Sequence, residues 1–194
     1  MSNKLTQSEK DALSTFPPVA QGFCTFVEGF ADYELEVFVL ELSIQLARVC
    51  EAAAKLPYIV AESRSESELE IGKPTSDSVA AHTERWRELR LKLQTYLGNA
   101  DHYWKVFDPT TEKDPVEGML SDDIADIYLD LQDGLNLLAS GAPAGDAYFK
   151  WRFDFRAHWW RHAADALKTT LAISDLALPE NFEQDHASGN GNVE

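Results

Sequence analysis

Apolar residues recur along most of the chain at steps of three and four, the spacing of one helix face. Val19, Phe23, Val27 and Phe30 form such a stripe from Pro18 to Phe30, with Pro17 and Pro18 at its start, where a missing N–H is harmless. The next segment, "ELEVFVLELSIQLARVCEAAAKL", puts Leu35, Phe38, Val39, Leu42, Leu46, Val49, Ala53 and Leu56 on one side. Val37, Leu40 and Ile44 widen that side beyond a stripe, which predicts a central helix ended by Pro57.

Residues 61–77, rich in Ser and Glu and poor in apolar side chains, read as a mobile acidic loop. Ser76 or Asp77 then caps a helix with the face Val79, His82, Trp86, Leu89, Leu93 and Leu97, and Gly98 stops it. His82 on that face reads as a hydrogen-bonded core residue. The stretch from Asn99 to Met119 mixes aromatics with Pro and Asp, and predicts an ordered loop pinned by Tyr103, Trp104 and Phe107. Ser121 is placed to cap the next helix, with Asp122 and Asp123 in its first turn and Ile124, Ile127, Tyr128, Leu131, Leu135 and Leu138 on one side.

After Gly141 and Pro143, Asp146 caps a last helix of more than seven turns at about 3.6 residues each. Residues 179–194 have the composition of a disordered acidic tail. No repeat and no alternating strand pattern stands out. The expectation is a single all-α domain over residues 1–178, a bundle of five to six helices closing on a long antiparallel pair.

Composition supports a folded chain: 194 residues, 44% hydrophobic, with five Trp. No apolar run is long enough to span a membrane and the first ten residues are polar, so a cytoplasmic location is expected. Cys24 and Cys50 lie in apolar helical patterns, which leaves no disulfide framework and no CxxC knuckle. A net charge of −16 speaks against binding to nucleic acid or an anionic membrane and favours a basic protein partner or solubility alone.

Candidate chemistry concentrates in "DFRAHWWRHAADAL", where His158 and His162 stand four apart. At about 100° per residue, Phe153, Trp160, Leu167 and Leu171 fall on one side, predicted to be core. Trp151, Asp154, Phe155, His158, His162, Asp165 and Thr169 fall on the other, a mixed polar and aromatic seam. Imidazoles at i and i+4 converge as they do in HExxH helices, so His158 and His162, with Asp126 and Asp130 from the neighbouring helix, are the candidate metal ligands. Trp159 occupies the position of the zincin glutamate, which disfavours a metalloprotease. Asp154, four before His158, has the spacing to orient that imidazole, but no nucleophile motif or phosphate loop accompanies it.

Charge offers a structural alternative. Asp108 to Asp133 holds nine acids and one lysine, a net of −8, whereas Lys150 to Lys168 holds five bases and two acids, a net of +3. Packed antiparallel, the two helices would pair Asp126 or Asp130 with Arg152, Arg156 or His158, holding the histidine in its charged form without any chemistry.

The segments "LSDDIADIYLDLQDGL" and "KWRFDFRAHWWRHAADAL" resemble the most recognisable stretches of the bacterial domain-of-unknown-function family numbered 5063, and "VFDP" before the acidic helix is similar too. The resemblance runs from about Phe23 to Leu171 and implies an all-helical fold with no established activity. It directs attention to Asp122, Asp123, Asp126, Asp130, Trp151, Phe155, His158 and His162. With Arg152, these are the candidate ligand or polar-network residues. With nothing catalytic complete, the expectation is an acidic interaction or regulatory module without a cofactor. The alternative is a divalent-metal or small-ligand pocket built from Asp126, Asp130, His158 and His162.

Overall fold

The structure, a computed structural model, describes residues 6–59, 76–107 and 110–176. The expected loop over 61–75 and the tail over 179–194 lie outside the described residues; Ser76 and Asp77, assigned to that loop, are helical. Six helices and one hairpin make up the described residues: α1 Gln7–Glu28, α2 Leu35–Ala54, α3 Ser76–Leu97, β1 His102–Lys105, β2 Val116–Met119, α4 Leu120–Ala139, α5 Ala144–Asp154 and α6 Trp160–Leu176. Mostly helical and built on one core, the chain is an all-α single domain.

α1 begins well before its prolines. Thr6 and Glu9 form a capping box, the Glu9 N–H donating to Thr6 Oγ1 at 3.3 Å and the Thr6 N–H to Glu9 Oε2 at 2.7 Å. Pro17 and Pro18 therefore sit inside the helix, where they were expected at its start. α2 buries the predicted face from Phe38 to Ala53, with Leu56 buried just beyond its end, but Val37, Leu40 and Ile44 are exposed, so its apolar surface is wider than its core contact.

The central helix is α4 instead. It packs against α1, α3, α5 and α6, and residues on nearly every side of it are buried, among them Leu120, Asp123, Ile124, Ile127 and Leu131. Its N-terminus is capped from outside the helix. The fully buried Asp101, in the short 3₁₀ turn Gly98–Asp101, accepts the Ser121 N–H at 2.7 Å and the Ser121 hydroxyl at 3.0 Å. Ser121 is thus the capped residue and not the cap.

Two strands replace the expected ordered loop. β1 and β2 pair antiparallel, with Tyr103 opposite Gly118 and Lys105 opposite Val116. Alternation along β1 turns Tyr103 and Lys105 inward and His102 and Trp104 outward. The pattern is only four residues long, too short to stand out in the sequence.

The last helix is not continuous either. A π-helical turn over Phe155–Trp159 separates α5 from α6. A π turn adds one residue, which rotates the following face by about 100°. Trp151 and Trp159, eight apart, therefore point to the same side, and the buried face is Trp151, Trp159, Ala163, Ala166 and Thr170. Phe153, Trp160 and Leu171, expected in the core, are exposed. Small residues on the buried face let α6 lie close along α2.

Candidate functional site

α4 and the π turn with α6 bring the two candidate histidines against the acidic helix. His158 lies in the π turn with Nδ1 2.7 Å from Asp130 Oδ2. One turn on, His162 Nδ1 is 2.7 Å from Asp123 Oδ1, and its Nε2 is 3.5 Å from Asp126 Oδ2. The imidazole rings meet edge to face, with centroids 5.0 Å apart. Each Nδ1 thus has its own carboxylate partner, so a ring that binds a ligand through Nε2 can keep its proton on Nδ1.

The supporting groups are built from residues around this line. Asp123 is buried and also accepts the Tyr103 hydroxyl at 2.5 Å, while Lys105 Nζ lies 3.8 Å away and pairs with Asp165 at 3.0 Å. Tyr103 reaches Asp123 only because Gly118 stands opposite it; a Cβ there would lie 2.5 Å from the ring. Asp126 accepts the Trp86 indole N–H at 2.9 Å.

Burial pushes the Asp126 carboxyl above the usual aspartate range, opposed by His162 and reinforced by Asp122. Asp122 is raised by burial and by the charge of Asp123. His158 is raised chiefly by its hydrogen bond to Asp130, against the opposing effect of burial. Tyr103 is pushed far up by burial and by Asp123, so it stays a hydrogen-bond donor.

Not every candidate joins. Trp151 belongs to the core, its indole N–H donating to the Leu131 carbonyl at 2.9 Å and its ring edge-on to Phe16. Arg152 bonds the Leu56 carbonyl and lies over Tyr58. Phe155 packs on Trp159 with ring centroids 4.6 Å apart. Asp154 is taken by Lys150 at 2.8 Å and does not orient His158. Of the four expected metal ligands, Asp126, His158 and His162 each offer one ligand atom, all within 4.8 Å of one another, while Asp130 stands behind His158. Trp86, Tyr103, Lys105 and Gly118 were not legible as site residues. Trp86 was assigned to an apolar face, and the others sit in the unrecognised hairpin.

The family described as "Domain of unknown function (DUF5063)" matches residues 7–174. The chain belongs to this family. Among solved structures, protein BF1032 from Bacteroides fragilis is similar at a TM-score of 0.65 and 20% identity, over 86% of this chain and 95% of that one. At that identity the likeness shows the fold alone. No curated protein matches the chain. Among the described residues no helix is long and apolar enough to cross a membrane.

Proposed function

We propose that this DUF5063 protein holds a single divalent transition-metal ion on Asp126, His158 and His162, with at least one coordination position open to water or substrate. The observation that carries the reading is the convergence of three ligand atoms from two elements within 4.8 Å of one another. Tetrahedral coordination at bonds of about 2.1 Å needs ligand atoms about 3.4 Å apart. The His162 Nε2 to Asp126 Oδ2 separation of 3.5 Å already matches it, and the exposed His158 has room to close.

Chemistry behind the ligands supports the same reading. Metal-bound histidines characteristically donate their second N–H to a carboxylate, and Asp130 and Asp123 are positioned for that. Asp126 is itself oriented by Trp86. Two imidazoles and one carboxylate with open positions suit zinc as a Lewis acid or iron(II) in oxygen chemistry. A π turn carrying one ligand fits the tendency of such turns to occur at functional sites.

The reading as an acidic interaction module draws less support. Asp123, Asp126, Asp130 and Asp133, the core of the acidic run, turn toward His162, His158, His82 and Lys150 of neighbouring helices and present little charge to a partner. The test is calorimetric titration of untagged, chelator-treated protein with zinc, manganese, iron(II) and nickel. One-to-one binding, lost in both His162→Ala and Asp126→Ala, is expected. No saturable heat with any of the four ions rejects the site.

A further inference from the structure

A concavity is lined by Lys105 and Asp165, the ion pair beside Asp123. It is a cleft of about 900 Å³ between the hairpin and α6, at the upper end of the range for small-molecule sites. Trp104, Phe107 and Trp160 line it and are 71%, 65% and 42% exposed. Three large rings left in water around one hollow mark a binding surface rather than scattered surface apolarity.

Charge narrows the occupant. Arg161, Asp165, Lys168 and Ala172 follow one another along one stripe of α6, all on the cleft. Asp165 is neutralised by Lys105 at 3.0 Å. Arg161 lies over the Trp160 ring at 4.8 Å, and neither it nor Lys168 has a carboxylate partner among the described residues. In a chain of net charge −16, the described residues of this cleft therefore offer Arg161 and Lys168 without a carboxylate partner beside stacking surfaces. We propose that it binds a small anion bearing a planar ring, the ring stacked on Trp104, Phe107 or Trp160 and the anionic group held by Arg161 and Lys168. The proposal does not depend on the metal centre.

The test is calorimetry in excess chelator, which silences any metal site. AMP and indole-3-acetate serve as ring-bearing phosphate and carboxylate, with adenosine and inorganic phosphate as the ring and charge alone. At least one ring-bearing anion should bind at sub-millimolar concentration, and whichever does so tells phosphate from carboxylate recognition. Adenosine and phosphate should bind about tenfold more weakly or worse. Trp104→Ala and Lys168→Glu, both at exposed positions, should each weaken binding about tenfold while leaving the melting curve unchanged. Failure of both anions at millimolar concentration, equal binding of adenosine and AMP, or unchanged affinity in both variants would overturn the proposal.

Discussion

Asp123→Asn is the substitution that separates a supported site from a chance meeting of charges. Asp123 is 2% exposed, and its two oxygens take the His162 Nδ1–H at 2.7 Å and the Tyr103 hydroxyl at 2.5 Å. Asparagine keeps one acceptor and sets an N–H₂ against a donor on the other side. A hydrogen bond to a buried charged group contributes about 1.5–3 kcal/mol, and a donor left unpaired adds the cost of its desolvation. Loss of the unfavourable burial of the carboxylate offsets part of this. The net expectation is a loss of about 2–4 kcal/mol, or roughly 5–15 °C in Tm for a chain of this size. Where the amide faces His162, the ring must take the other tautomer, placing a proton on Nε2 and weakening metal binding about 10- to 100-fold. Tyr103→Phe removes one donor and leaves the histidine pair intact, so it should cost about 1 kcal/mol and spare metal affinity. The assay is thermal and urea unfolding by circular dichroism, paired with metal titration of the same samples. An Asp123→Asn protein that melts within about 1 °C of the parent and binds metal equally well would show that Asp123 supports neither the fold nor the metal site.

Other outcomes follow from the same geometry. Gly134→Ala would place a Cβ 2.1 Å from the Trp151 indole nitrogen, so it should destabilise by about 3 kcal/mol or prevent folding, read by urea unfolding. Trp159→Ala should cost about 3–5 kcal/mol, whereas Phe153→Ala, at an exposed ring, should cost under about 1; equal costs would contradict the rotated face after the π turn. In chelator, stability should fall as pH rises. The Asp126 carboxyl, raised by burial, becomes a buried charge that costs stability as pH rises above the unfolded aspartate value of about 3.9, and the stabilising charge on His158 is lost as pH climbs from about 6.5 through its raised value. Added metal should reverse this slope, since it replaces protons and stabilises more at higher pH; urea midpoints across pH 5–8 show either outcome.

Much of this architecture was legible in the chain. The faces of α2 and α4, and the opposite charges of α4 and the last helical segment, follow from spacing and composition, and they brought Asp126, Asp130, His158 and His162 to one side. Which acid serves which histidine was not legible, because it depends on the extra residue of the π turn, and a uniform wheel cannot register that insertion. That insertion reversed the roles of Trp159 and Trp160 and moved Asp130 behind His158. Remote contributions were hidden for another reason. Asp101 caps α4 and Tyr103 holds Asp123 from elements of four residues each, too short to leave a periodic signal. The exposure of His158 also changes its expected worth. With its side chain 48% exposed, His158→Ala should cost less than the more than about 1.5 kcal/mol expected of a buried pair, and Asp123 carries the larger share.

The most direct measurement is elemental analysis of the native chain, purified without a histidine tag from its own host, beside the Asp126→Ala and His162→Ala proteins. A metal centre on Asp126, His158 and His162 predicts close to one transition-metal ion per parent chain and its loss from both variants. Less than about a tenth of an ion per parent chain, together with no uptake on reconstitution, would contradict it.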